Sequence, residues 1–228
     1  RSLTSQLALL PLWWWLLAPA VALLGHGLLI QRWQLYLQQL GYPLPWRVGA
    51  RIYAAGLALI AAPGRSGEAL RGLWLQRRHG IPLQVGVSIT LAERLTDLAS
   101  ALLVLSWGLG RQVWLAVLVG FVALAAGGWL LTHPRLLRQL DGLLERLPLH
   151  PRWHGVLRLL REALLTFSRV RQLMQPRPLL IGTLLASLCW LLEALMLQGI
   201  CGSLGISINL PHTAVIRTDM AIGGVLSL

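Results

Sequence analysis

Apolar positions along the 228-residue chain gather into long unbroken runs instead of alternating with polar ones. A helix that crosses hydrocarbon needs about 20 apolar residues. Four stretches meet that length, 7–30, 82–107, 112–132 and 178–204, and each predicts a spanning helix. Two shorter stretches, 48–62 and 211–228, are interrupted by glycine. The first runs into Pro63-Gly64, where proline offers no amide donor and its ring clashes with the preceding turn. Such a segment is either a kinked span or a half-helix that turns back. Stretch 133–177 has a different period: Leu136, Leu137, Leu140, Leu143, Leu144 and Leu147 recur at i, i+3, i+4 and i+7, with Arg135, Arg138 and Asp141 between them. It predicts two amphipathic helices, about 134–147 and 152–174, separated by Pro148 and Pro151. They are expected to lie on the inner leaflet; a plain cytoplasmic connector is the blander reading. The expected fold class is all-α, a polytopic integral membrane helical bundle with re-entrant half-helix hairpins.

Arginine distribution decides between the two readings of 48–62, because loops rich in arginine stay in the cytoplasm. Segment 63–81 holds Arg65, Arg71, Arg77 and Arg78, and stretch 133–177 holds nine arginines against Asp141, Glu145 and Glu162. Loop 108–111 has only Arg111. A crossing by 48–62 would put the two rich segments on opposite sides of the membrane. A re-entrant hairpin over 48–80 leaves both, together with the linker 31–47, on the cytoplasmic side. The hairpin is therefore expected, with Trp107 and Trp114 at the outer boundary and Trp33, Trp46 and Trp74 near the inner one.

Composition narrows the class. With 56% hydrophobic and 12% charged residues and a mean hydropathy of +0.64, the chain is not a soluble domain. Eleven tryptophans against two phenylalanines fit the membrane–water interface, where indole is sheltered and its N–H stays wet. The net charge of +12 is threaded between apolar runs, which excludes a nucleic-acid binder and points to a lipid partner. Cys189 and Cys201 would stand about 18 Å apart on one helix, beyond disulfide reach, so the redox compartment is not readable. The first run is too long for a secretory signal and no small-residue cleavage pattern follows it. Arg1 and Leu228 both look like cut ends.

Polar residues at bilayer depth carry the functional signal, since an ionisable group there costs about 2.5–3.5 kcal/mol on the insertion scale. Glu93, Arg94 and Asp97 fall at the middle of 82–107. Spacing of four puts Glu93 and Asp97 on one helix face, extended by Thr90 and Ser100, with Arg94 about 100° round. The hairpin supplies Pro63, Gly64, Arg65, Ser66, Gly67, Glu68 and Arg71. Pro63, Gly64 and Gly67 permit a tight reversal, and Ser66 is a suitable N-cap. The helix start then presents free N–H groups beside Arg65 and Arg71, the outline of a phosphate site. Head-group contact is expected from Arg65, Ser66, Gly67, Arg71 and Arg94. Glu68, Glu93, Asp97 and Glu193, the last near mid-span in 178–204, form a charge network or a proton-linked set. The bland counterpart is a buried ion-pair network that only pins the hairpin. Arg217 and Asp219 lie too near the end to read. His150 and His154 lack a third ligand and straddle Pro151, so no metal is expected, and no nucleotide or cofactor motif is present.

Pro63-Gly64-x-x-Gly67-Glu68-x-x-Arg71, followed by Glu93-Arg94-x-x-Asp97, resembles the transmembrane domain of the lysylphosphatidylglycerol synthase/flippase family, which includes dolichol-phosphate glycosyltransferase-like membrane proteins. Arg32-Trp33 is similar to an Arg-Trp pair near the start of that domain. The resemblance implies an integral protein of the bacterial cytoplasmic membrane that moves anionic phospholipid or polyprenyl-phosphate lipid between leaflets. The family runs on to a second Pro-Gly-Gly-type hairpin, and Arg217 through Leu228 resembles Arg51 through Ala62, the start of an inverted repeat. No aminoacyl-transferase domain is present, so a transporter is expected over an enzyme, with no catalytic residue assigned. The alternatives are a polyprenyl-phosphate glycosyltransferase with Glu93 or Asp97 as base, and a membrane scaffold or regulator. Self-association into a homo-oligomer is left open.

Overall fold

In the computed structural model the described residues are 10–58, 66–109, 115, 119–120, 122, 127–128, 133–146 and 154–226. Among them all regular structure is helical, in eight elements. In chain order these are α1 (Trp14–Gln39), α2 (Trp46–Ala58), α3 (Ser66–His79), α4 (Leu83–Leu109), α5 (Pro134–Arg146), α6 (His154–Leu173), α7 (Pro176–Ser203) and α8 (Leu210–Leu226). By length and composition α1 and α7 can each cross a membrane. Helix α4 has 27 residues, but Glu93, Arg94 and Asp97 interrupt its centre. Stretch 112–132 and the reversal Pro63-Gly64-Arg65 lie outside the described residues, except for a few isolated helical positions in the former.

One element departs from expectation. The linker read over 31–47 is helical as far as Gln39, as the continuation of α1. Arg32, Trp33, Gln34, Tyr36 and Leu37 are all buried there, and burial of that many large side chains outweighs their polar letters. Helix α1 then closes on Gly41, whose φ of 84° is the left-handed conformation that a side chain disfavours. Tyr42 N–H reaches Leu37 C=O at 2.9 Å and Gly41 N–H reaches Gln38 C=O at 3.0 Å, a Schellman ending.

The chain divides into two compact units. The first comprises Arg1–Arg32, Thr96–Phe121 and Ile181–Leu228. Within it, α1 is stapled to α7: Trp14 Nε1 donates to Ser203 Oγ at 2.6 Å, and its ring fills the space over Gly199. Ser100 Oγ of α4 lies 3.0 Å from Thr183 O of α7. Gly108 of α4 lets the Pro211 carbonyl of α8 approach so closely that a Cβ would stand 2.6 Å from it.

The second unit comprises Trp33–Leu95 and Val122–Leu180. Here α2 and α3 pack against each other, with Gly56 over the stem of Arg71 and the carbonyl of Gly67. Helices α3 and α4 meet backbone to backbone, since a Cβ on Gly86 would stand 2.5 Å from Gly72 Cα. Trp33 and Tyr53 meet edge to face at 6.0 Å between centroids. Helix α6 joins α4 through Ser88 Oγ, 3.2 Å from Thr166 O, and α5 packs on α6.

Candidate functional site

Acids set into apolar helices need cations, and each unit satisfies that need in its own way. In the second unit Arg71 of α3 donates from Nη2 to Glu93 Oε2 of α4 at 2.9 Å. The guanidinium also lies over the Tyr53 ring of α2, 4.7 Å from its centroid. Arg71 is 6% exposed and Glu93 1%, so the pair is sealed from solvent and lipid alike. Gly56 makes this possible: a Cβ there would fall 2.6 Å from Arg71 Cγ. Three helices are tied by one guanidinium.

Among the described residues the first unit shows two pairs. Buried Arg32 of α1 donates from Nη1 to Asp97 Oδ1 at 2.6 Å and to Thr96 Oγ1 at 3.1 Å, both on α4. Glu193 of α7 is gripped by Arg217 of α8, whose Nε and Nη2 both address Glu193 Oε2. The Arg217 guanidinium stands over the Trp190 ring at 5.3 Å. Unlike the Arg71 pair, this one is open: the side chains of Arg217 and Glu193 are 26% and 24% exposed. Cys189 Sγ lies 3.8 Å from Glu193 Oε1 on the same helix.

The expected contact residues distribute unevenly. Arg65, Pro63 and Gly64 lie outside the described residues. Ser66 opens α3 and Glu68 sits in its first turn, while Gly67 is buried with its carbonyl toward Gly56. Arg71 is sealed against Glu93 and Tyr53. Arg94 is exposed on α4, on the same outer stripe as Val87 and Leu91, seven and three residues away. Glu93 meets Arg71 of α3, whereas Asp97 meets Arg32 of α1. Gln198 donates to Ile208 O at 2.9 Å.

Four residues of these clusters escaped the sequence reading as partners: Arg32, Arg217, Tyr53 and Trp190. The usable signal was balance. Glu93, Asp97 and Glu193 are three deep acids, and Arg32, Arg71 and Arg217 are the three arginines that answer them.

Long apolar helices with opposite charges paired inside them define a helical membrane protein. The chain matches the family model of the lysylphosphatidylglycerol synthase TM region over residues 1–228, and it belongs to that family, whose setting is membrane-lipid chemistry. No curated protein and no solved structure matches it.

Proposed function

We propose that the chain is a lipid translocase that carries a phospholipid or polyprenyl-phosphate-linked lipid between leaflets of a multi-pass membrane domain. The observation that carries this reading is the open Glu193–Arg217 pair resting on Trp190. Arginine presents a planar fork of donors that matches a phosphate, and an aromatic face behind it limits its wandering. At rest the two charges neutralise each other, so neither stands bare in hydrocarbon. A head-group phosphate that takes the place of Glu193 on Arg217 crosses the apolar depth without an unpaired charge. Glu193, once released, accepts the cationic part of a head group or a proton. The acyl tails stay in lipid throughout.

Arg94, exposed among Val87 and Leu91, serves as a further phosphate contact in the second unit. Arg65, Ser66 and Gly67 belong to the same anion-binding helix start, and α2–α3 is read as the re-entrant hairpin. Arg71 takes a different role from direct contact, because it is buried with Nη2 bound to Glu93 and its face over Tyr53. It holds the hairpin on α4. For the enzyme reading the same burial disfavours Glu93 as the base, since a base must reach its substrate, and leaves Asp97, 21% exposed, as the candidate.

The test is lipid exchange in proteoliposomes. The protein should accelerate movement of a fluorescent phospholipid between leaflets, and Arg217→Ala should abolish the acceleration. Exchange no faster than in protein-free vesicles would sink the translocase, and turnover of a polyprenyl-phosphate donor without exchange would favour the glycosyltransferase.

A further inference from the structure

The arginine-rich pair α5–α6 takes no part in the reading above. Arg161 of α6 faces Asp141 of α5 at 3.9 Å, and the two helices pack on each other. Helix α6 turns Thr166, Val170 and Leu173 inward, where they are buried, and the Thr166 carbonyl is bound by Ser88 of α4. Towards its start, where nothing among the described residues covers it, the same side of α6 is exposed, and α5 also carries uncovered apolar side chains. Leu136, Leu140 and Leu143 form an exposed row on α5, and Val156, Leu159, Leu160 and Phe167 form another on α6. Arg135 and Arg138 on α5 and Arg161 on α6 are exposed. Over 133–177 nine arginines stand against three acids.

The nature of the cover follows from chain connection and charge. Helix α6 ends at Leu173, and α7, long and apolar enough to cross a membrane, begins at Pro176. A tether of two residues holds the end of α6 at the mouth of a spanning helix, so the pair cannot lie far from the bilayer surface. A surface that offers an acyl boundary to leucines and negative charge to flanking arginines in one plane is a leaflet of anionic phospholipid. We propose that α5–α6 is a docking element for an anionic membrane surface, with its leucine rows in the acyl boundary and its arginines among the head groups. This holds whether or not the protein translocates lipid.

The experiment places a spin label at Leu143→Cys or Leu159→Cys of the full chain, on a Cys201→Ser background, in nanodiscs. Exposed positions are chosen so that folding is spared. In phosphatidylglycerol discs both labels should be reached by oxygen and protected from a water-soluble nickel relaxant. In phosphatidylcholine discs, at high salt, or with Arg135→Gln, Arg138→Gln and Arg161→Gln combined, nickel access should rise by about twofold or more as screening removes the attraction. Three results overturn the proposal: equal nickel access in both lipids, protection from both relaxants, which means that protein covers the rows, and lipid burial that is indifferent to charge.

Discussion

Arg71 and Glu93 meet at 2.9 Å across two helices of one unit, and both are buried. Removal of one partner leaves the other charge buried alone, which costs about 3–5 kcal/mol, whereas removal of both with apolar replacements is far milder. Arg71→Met and Glu93→Gln should each lower the unfolding temperature in detergent sharply. The combination Arg71→Met with Glu93→Leu should recover most of the loss. Equal, additive losses would show that the pair is not the lock described here. Tyr53→Leu keeps the ion pair and removes the aromatic face, for a smaller loss of about 0.5–2 kcal/mol.

The crossing of α3 and α4 depends on two backbones without side chains between them. A methyl at Gly86 would stand 2.5 Å from Gly72 Cα, and no rotamer change can make room against backbone. Gly86→Ala should therefore cost about 1–3 kcal/mol, as overpacking does. Gly142→Ala in α5 is the control, because its methyl meets nothing within 4 Å, and it should be neutral or slightly stabilising. Comparable unfolding temperatures for the two variants would contradict this crossing.

The family was legible in the spacing of Pro63-Gly64-x-x-Gly67-Glu68-x-x-Arg71 and Glu93-Arg94-x-x-Asp97, because few other folds place such letters inside apolar runs. That Glu93 and Asp97 need cations was equally plain from the cost of charge in hydrocarbon. Which cation serves which acid was not. Arg32 lies 65 residues from Asp97, at the end of a run that reads locally as a linker. Periodicity reports which face of a helix is apolar and says nothing of which distant helix lies against it. Tyr53 and Trp190 escaped for the same reason, since an aromatic letter does not announce the guanidinium above it.

The fork geometry at Glu193 separates charge from shape. Arg217 addresses one carboxylate oxygen with two nitrogens, which lysine cannot do. Arg217→Lys should keep the protein folded, yet lose lipid exchange by about tenfold, the effect of roughly 1.4 kcal/mol in transition-state binding. Arg217→Lys with exchange at the unaltered rate would mean that a point charge suffices.

Trp14 offers a test of the first unit alone. Its indole N–H bonds Ser203 Oγ at 2.6 Å and its ring fills the gap over Gly199, while Trp13 and Trp15 beside it are exposed. Trp14→Phe loses the hydrogen bond and should cost about 0.5–1.5 kcal/mol, Trp15→Phe almost nothing, and Trp13→Phe, whose ring stacks on Trp14 at 4.4 Å between centroids, an amount between the two. Gly199→Ala should cost more than Trp14→Phe, because the new methyl would stand 2.4 Å from the buried ring and must drive it out. Unfolding temperatures of the four variants decide the point, and a Gly199→Ala protein as stable as the unaltered chain would refute the staple.

Arg94 completes the contrast with Arg71, one turn of argument further from stability. Both are arginines near charged neighbours, but Arg94 is exposed beside Val87 and Leu91. An exposed charge contributes little to folding, so Arg94→Gln should leave the unfolding free energy within about 0.5 kcal/mol of the unaltered protein, with almost no shift in unfolding temperature. If its task is to meet a lipid phosphate, the same change should slow lipid exchange severalfold. A fall in unfolding temperature as large as that of Arg71→Met would move Arg94 into the structural network, and unchanged exchange with unchanged stability would leave it no part in head-group binding.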